Sequence, residues 1–138
     1  MLILIINKLI NTITRKGKKT KAYNIILKIL MNIRIITSKS SLFVILKSFK
    51  NLKSYVELIK IRKAGKVYDV PVPLKKKKQL FLIINSILSI VNNSKVNDFG
   101  KSLTLELLSL FFKKSTSLKN KGNLSKKIYL NRAVTHYR

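Results

Sequence analysis

Four acidic residues, Glu57, Asp69, Asp98 and Glu106, stand against thirty lysines and arginines, leaving a formal charge of +26 on 138 residues. No other property of the chain narrows its folds as much. Like charge at this density repels itself and works against any compact state that stands alone. Yet 46% of the residues are hydrophobic, well above the content of chains too polar to offset their conformational entropy. A chain with both properties folds around an apolar core and does so beside a polyanion. Its length suits a single domain covering residues 1–138, able to bury about two-thirds of its unfolded surface.

Other absences remove whole classes of chemistry. There is no cysteine, so disulfide frameworks and thiolate metal sites are excluded. The four acids are scattered, and the single histidine, His136, lies close to the C-terminus, where chains tend to fray. Paired carboxylates, two-metal centres and catalytic triads all need convergent groups that this sequence does not supply. The expectation is no enzyme, with no cofactor, no metal and no small-molecule substrate. Lysine outnumbers arginine 25 to 5 and alanine occurs only at Ala22, Ala64 and Ala133, the usage expected of an AT-rich gene in an organelle or a reduced bacterium.

The opening Met-Leu-Ile-Leu-Ile-Ile raises a membrane reading. A spanning helix needs about 20 apolar residues, whereas the first run is interrupted at Asn7 and Lys8, and that from Leu80 to Val91 is short and contains Asn85. A secretory signal places its charges before the apolar run; here Lys8 lies inside it. An amphipathic core helix fits better. No Arg-rich, Ser-rich transit peptide is visible, so an organellar version is expected to be made inside the organelle.

Leu2, Ile5, Ile6, Leu9, Ile10 and Ile13 fall on one helical face, and the helix should end near Arg15, before the basic turn Lys16-Gly17-Lys18-Lys19. Thr20 is a candidate cap for a second helix, with Tyr23, Ile26, Leu27, Leu30 and Ile33 inward. After a polar loop at residues 37–41, a third helix carries Leu42, Ile45, Leu46 and Phe49. Ser54 to Ile61 and Lys66 to Leu74 are rich in Val, Ile and Tyr and flank a glycine turn, which predicts a β-hairpin. Pro71 and Pro73 restrict it to edge positions. Lys75 to Val91 predicts a fourth helix, apolar nearly all round and so expected at the centre of the bundle. Asp98 should cap a fifth through Leu103, Leu107, Leu110 and Phe111. Residues 113–123 read as a basic loop before a last helix from about Leu124 toward Val134. The fold expected is mainly α: about six helices with one hairpin, residues 54–74, projecting between the third and fourth.

From Tyr55 to Leu74 the segment YVELIKIRKAGKVYDVPVPL resembles the hairpin of the universal small-subunit ribosomal protein seven family: Val56-Glu57, a basic pair at Arg62-Lys63, Gly65, then Tyr68-Asp69-Val70-Pro71-Val72. Asn11 followed by Gly17-Lys18-Lys19-Thr20 is similar to the family's first helix and loop. Residues 131–138, NRAVTHYR, are similar to its C-terminus, and Glu106-Leu107 matches a Glu-Leu pair in its fifth helix. Three signatures in family order span nearly the whole chain. Departures exist: the family's basic N-terminal arm is not seen, paired turn glycines become Ala64-Gly65, Ile61 replaces the first of a basic pair, and Asn85-Ser86 replaces Arg-Trp. The loop near Ser115 lacks the usual glycine, and no tryptophan follows Arg138.

Lysine clusters suit phosphate binding because each phosphate neutralised releases condensed counterions. Such clusters occur at Lys16, Lys18, Lys19 and Lys21, at Lys75, Lys76, Lys77 and Lys78, and at Lys119, Lys121, Lys126 and Lys127. The second lies at a helix start, where the macrodipole disfavours cations but backbone N–H groups welcome a phosphate. Tyr68 is open to base stacking or to cross-strand packing, with packing favoured. Glu57 is expected to pair with a nearby lysine. His136 and Tyr137 are open to RNA contact or to bracing the hairpin base.

The resemblance implies a structural constituent of the small ribosomal subunit that binds the 3′ major domain of its rRNA and organises head assembly. It adds rRNA contacts at Lys8, Asn11, Arg132, His136, Tyr137 and Arg138. It also places the hairpin, with Arg62, Lys63, Gly65, Lys66 and Tyr68, near exit-site tRNA and the mRNA exit path, among neighbouring proteins of head and platform. With the amino-acid usage of an AT-rich gene it implies a mitochondrial matrix location, with plastid or bacterial cytoplasm as alternatives. The competing readings are a non-ribosomal basic nucleic-acid-binding protein and a membrane-surface protein.

Overall fold

In the computed structural model, which describes residues 2–94, 96 and 98–137, the apolar spacing produces helices α1 (Leu2–Ile13), α2 (Lys19–Thr37) and α3 (Ser41–Leu52). Strands β1 (Val56–Lys63) and β2 (Lys66–Pro73) follow, then α4 (Lys76–Asn93), α5 (Phe99–Phe111), α6 (Thr116–Leu130) and a terminal 3-10 helix, Arg132–Tyr137. The architecture is a helical bundle with one antiparallel hairpin between α3 and α4. Ile5, Leu9, Ile10, Ile33, Val44, Phe49, Ile84, Ile87, Leu107 and Leu110 form one continuous core.

The centre of that core is α5, not α4 as the hydropathy suggests. Residues α5 buries include Leu103, Leu107, Leu108 and Leu110 but also Ser102, Thr104 and Glu106, and it packs on α2, α3 and α4. Helix α4 is one-sided: Ile83, Ile84, Ile87 and Val91 face in, while Phe81, Asn85, Ser86 and Ser89 face out. The close approach of α3 to α5 is made at a small residue. Ser48 is fully buried, and its hydroxyl donates to both the Val44 carbonyl (2.8 Å) and the Leu107 carbonyl (2.9 Å).

Further expectations are corrected. Thr20 is no cap: α2 already starts at Lys19, with Lys18 in the cap position and no side-chain cap bond. Its inward face is Ala22, Ile26, Ile29 and Ile33, which leaves Tyr23 52% exposed; Leu42 of α3 is likewise exposed. Residues 116–123, read as loop, are the first half of α6, capped by the Ser115 hydroxyl accepting from Ser117 N at 2.9 Å. That helix ends at Leu130, and the tail continues as the 3-10 helix. The Asp98 cap stands, accepting from Gly100 N at 2.9 Å.

The hairpin register pairs Val56 with Pro73 and Lys63 with Lys66, so Ala64 and Gly65 alone make the turn. Both have positive φ, 48° and 77°, the combination that a two-residue type I′ turn requires. Glycine adopts it freely, whereas alanine there costs on the order of 1 kcal/mol because Cβ crowds the following carbonyl. Ala64→Asn, which restores the favoured Asn-Gly turn, is therefore expected to slow amide exchange of the outer hairpin several-fold. Unchanged exchange would show the turn to be unstrained.

Candidate nucleic-acid interface

The basic loop between α1 and α2 is shaped by two successive left-handed residues, Lys16 (φ 51°) and Gly17 (φ 72°), closed by Lys19 N donating to the Gly17 carbonyl at 2.8 Å. The turn leaves Arg15, Lys16, Lys18, Lys19 and Lys21 exposed. Arg15, Lys18 and Lys21 rim a groove of about 670 Å³, floored by Ile13, Ala22, Leu88, Val91 and Phe99. Lys8 and Asn11 are exposed on α1, on the helical face leading to this loop. From the sequence Arg15 reads only as a helix end; its place directly before the lysine run is the available signal.

Lys75, Lys76 and Lys77 are exposed at the start of α4, which like α2 has no side-chain cap and no acid in its first turn. The two helix starts richest in lysine are thus left with open N–H groups, whereas α5 and α6 cap themselves with Asp98 and Ser115. An anion brought from outside satisfies both the N–H groups and the lysines. Lys78 differs from its neighbours, being ion-paired to Glu57 on β1, as expected for Glu57.

On α6, Lys119, Lys126 and Lys127 are exposed, but Lys121 is turned inward. Its ammonium donates to the Asn51 carbonyl at 2.7 Å, and Asn51 Nδ2 in turn donates to the Leu110 carbonyl at 3.0 Å. Burial lowers the Lys121 pKa below the ordinary lysine value. The cation sits at the C-terminal end of α3, where the helix dipole favours it, so Lys121 locks α6, α3 and α5 together.

Tyr68 stands opposite Ile61 in the ladder, and its ring also packs against the tail, 4.9 Å from that of Tyr137. Tyr137 also carries the Lys63 ammonium 4.8 Å above its ring, so the 3-10 helix braces one face of the hairpin. His136 Nδ1 lies 2.8 Å from the Ala133 carbonyl, and the Arg132 guanidinium stacks on Tyr129 at 4.5 Å. Arg62, Gly65 and Lys66 are exposed toward the tip. Arg138 lies outside the described residues.

Three of the four acids are committed to contacts inside the fold, and the fourth, Asp69, lies within the hairpin ladder. Glu57 holds Lys78, Asp98 caps α5 and Asp69 faces Lys60 across the ladder. Glu106, 9% exposed, accepts from the hydroxyls of Ser109, Ser115 and Ser117. The lysines of the first loop and Lys75, Lys76 and Lys77 pair with none of them among the described residues, where no group of three or more acids and histidines converges either. Among the described residues no single helix is long and apolar enough to cross a membrane; α2 and α3 reach that length and hydropathy only together, across a 94° bend.

These features define a class: a basic helical scaffold with a braced hairpin and cations far in excess of the anions it carries. Residues 3–132 match the family described as ribosomal protein S7p/S5e. The chain is 30% identical over 134 residues to the small ribosomal subunit protein uS7 of Pelagibacter ubique, covering 97% of this chain and 86% of that protein. It is 28% identical over 134 residues to the uS7 of Thermotoga maritima, with the same coverage. The chain belongs to the ribosomal protein S7p/S5e family.

Proposed function

We propose that the chain is a structural protein of a small ribosomal subunit, that it binds the 3′ major domain of the subunit's rRNA, and that this binding organises the head. The observation that carries the reading is the placement of the acids: Glu57, Asp98 and Glu106 are committed inside the fold and Asp69 lies in the hairpin ladder opposite Lys60. The loop of residues 15–21 and Lys75, Lys76 and Lys77 are left without an ion-pair partner among the described residues, and RNA phosphates supply one. The mechanism is electrostatic and steric clamping, in which no bond is made or broken. Lys8, Asn11, Arg15, Lys16, Lys18, Lys19 and Lys21 grip one stretch of backbone and Lys75, Lys76 and Lys77 another. Lys119 and Arg132 provide outlying contacts.

The hairpin tip, with Arg62 and Lys66, reaches toward exit-site tRNA and the mRNA exit path, while the Tyr68–Tyr137 contact holds its angle. The site of action is the mitochondrial matrix, a placement supported by the lysine-rich, alanine-poor residue usage expected of an AT-rich gene. The test is co-sedimentation of the tagged chain with small subunits in high salt, together with competition between a 3′ major domain transcript and duplex DNA of equal length. Retention in the subunit and preference for the transcript are expected, because loosely held cations are screened away. Release by salt, or equal affinity for DNA, would overturn the reading.

A further inference from the structure

A second basic surface lies outside the lysine clusters, where the last turn of α5 crosses α3. Phe43 and Phe112 are 51% and 60% exposed there, although rings of this size are normally buried. Phe111, largely buried between them, stands edge-on to Phe43 at 6.4 Å and to Phe112 at 5.2 Å between centroids. Lys47 Nζ sits 4.8 Å above the Phe111 ring and 5.9 Å from that of Phe43, and Lys39 Nζ lies 5.7 Å from Phe111. The backbone on both sides is pinned. Ser38 and Lys113 take left-handed φ values of 50° and 60°, and Lys114 N donates to the Ser109 carbonyl at 2.8 Å. The nearest acid in sequence, Glu106, is turned inward to its serines.

Open aromatic faces flanked by ammonium groups and free of protein anions suit a ligand that is flat and aromatic on one part and anionic on another. We propose that Phe43, Phe111 and Phe112, with Lys39 and Lys47, form a platform that stacks an unpaired nucleotide of single-stranded RNA and holds its phosphate. This deepens the nucleic-acid reading and rests on it. The charge complementarity of the patch selects RNA over an apolar protein partner.

The test uses the full chain and a short single-stranded RNA carrying 2-aminopurine, whose fluorescence falls when the base stacks. Wild type is expected to quench it, and Phe43→Leu/Phe112→Leu to bind roughly 5- to 100-fold more weakly without quenching. Phe112→Tyr, which keeps a stacking face, should retain the quench. A thermal melt shows whether the leucine pair is folded; Phe112→Leu alone, at the more exposed ring, serves if it is not. Quenching that survives removal of the exposed rings would overturn the platform, and so would phenylalanine-dependent binding to anionic lipid vesicles without any to the RNA. Binding of the 3′ major domain transcript, measured alongside, separates this failure from failure of the wider reading.

Discussion

Replacing Arg15, Lys18 and Lys21 together by glutamate is expected to weaken binding to a 3′ major domain transcript about a thousandfold at physiological salt. These three side chains rim one groove, and no acid among the described residues neutralises them. Each phosphate that goes without its cation takes roughly 0.7–0.9 from the slope of log affinity against log salt. Neutralisation to glutamine should therefore flatten the slope by about 2–3 and cost on the order of a hundredfold, with repulsion adding the rest. Folding should not suffer, since all three are exposed and a smaller net charge relieves self-repulsion. Filter binding across a salt series measures both quantities. The comparison that decides is a variant with equal charge change at Lys28, Lys50 and Lys101, exposed but dispersed. Should it lose as much affinity and slope as the groove variant, net charge and not the groove governs binding.

Local patterns carried much of this molecule into view. The hairpin was legible because β-branched runs flank a glycine turn, and five helices because their apolar residues recur at three and four. Pairing of Glu57 with a lysine followed from the scarcity of acids. What escaped was settled by contacts between distant segments. Helix α4 looks central because it has many apolar residues, yet Phe81 points outward, while α5 is central although Ser102, Thr104 and Glu106 look polar on paper. Their polar groups are satisfied within the helix or by neighbouring serines, which no hydropathy count registers. The first half of α6 reads as loop because its lysines, asparagines and single serine lack an apolar stripe. Lys121 looks like one more phosphate contact, and only packing reveals its ammonium against the Asn51 carbonyl. The aromatic platform joins residues 39–47 to residues 111–112, so no local window displays it.

Glu106→Ala is expected to destabilise the free protein by about 3–5 kcal/mol, because two buried serine hydroxyls lose a charged acceptor. The carboxylate accepts from Ser117 Oγ at 2.6 Å and Ser109 Oγ at 3.3 Å, and from Ser115 Oγ. Bonds to a charged acceptor each contribute roughly 1.5–3 kcal/mol, and hydroxyls left buried without partners add a desolvation cost. One of them, Ser115, is also the α6 cap. Among its residues α6 buries only Ser117, so it has little apolar contact to hold it once the knot is cut. It is then anchored by the Lys121–Asn51 bond and by Leu118, partly buried against the core. The lesion should therefore be uneven: amide exchange rises first in α6, while α2 and α5 stay protected. A loss of this size lowers the melting temperature by about 10–15 °C for a domain of this length. Glu106→Gln keeps the shape and one carbonyl acceptor and should lose roughly 1–2 kcal/mol, the share that belongs to the charge. If the alanine variant instead melts within about 2 °C of wild type, the serines have found other partners, and the acid's burial reflects packing and not the anchoring of α6.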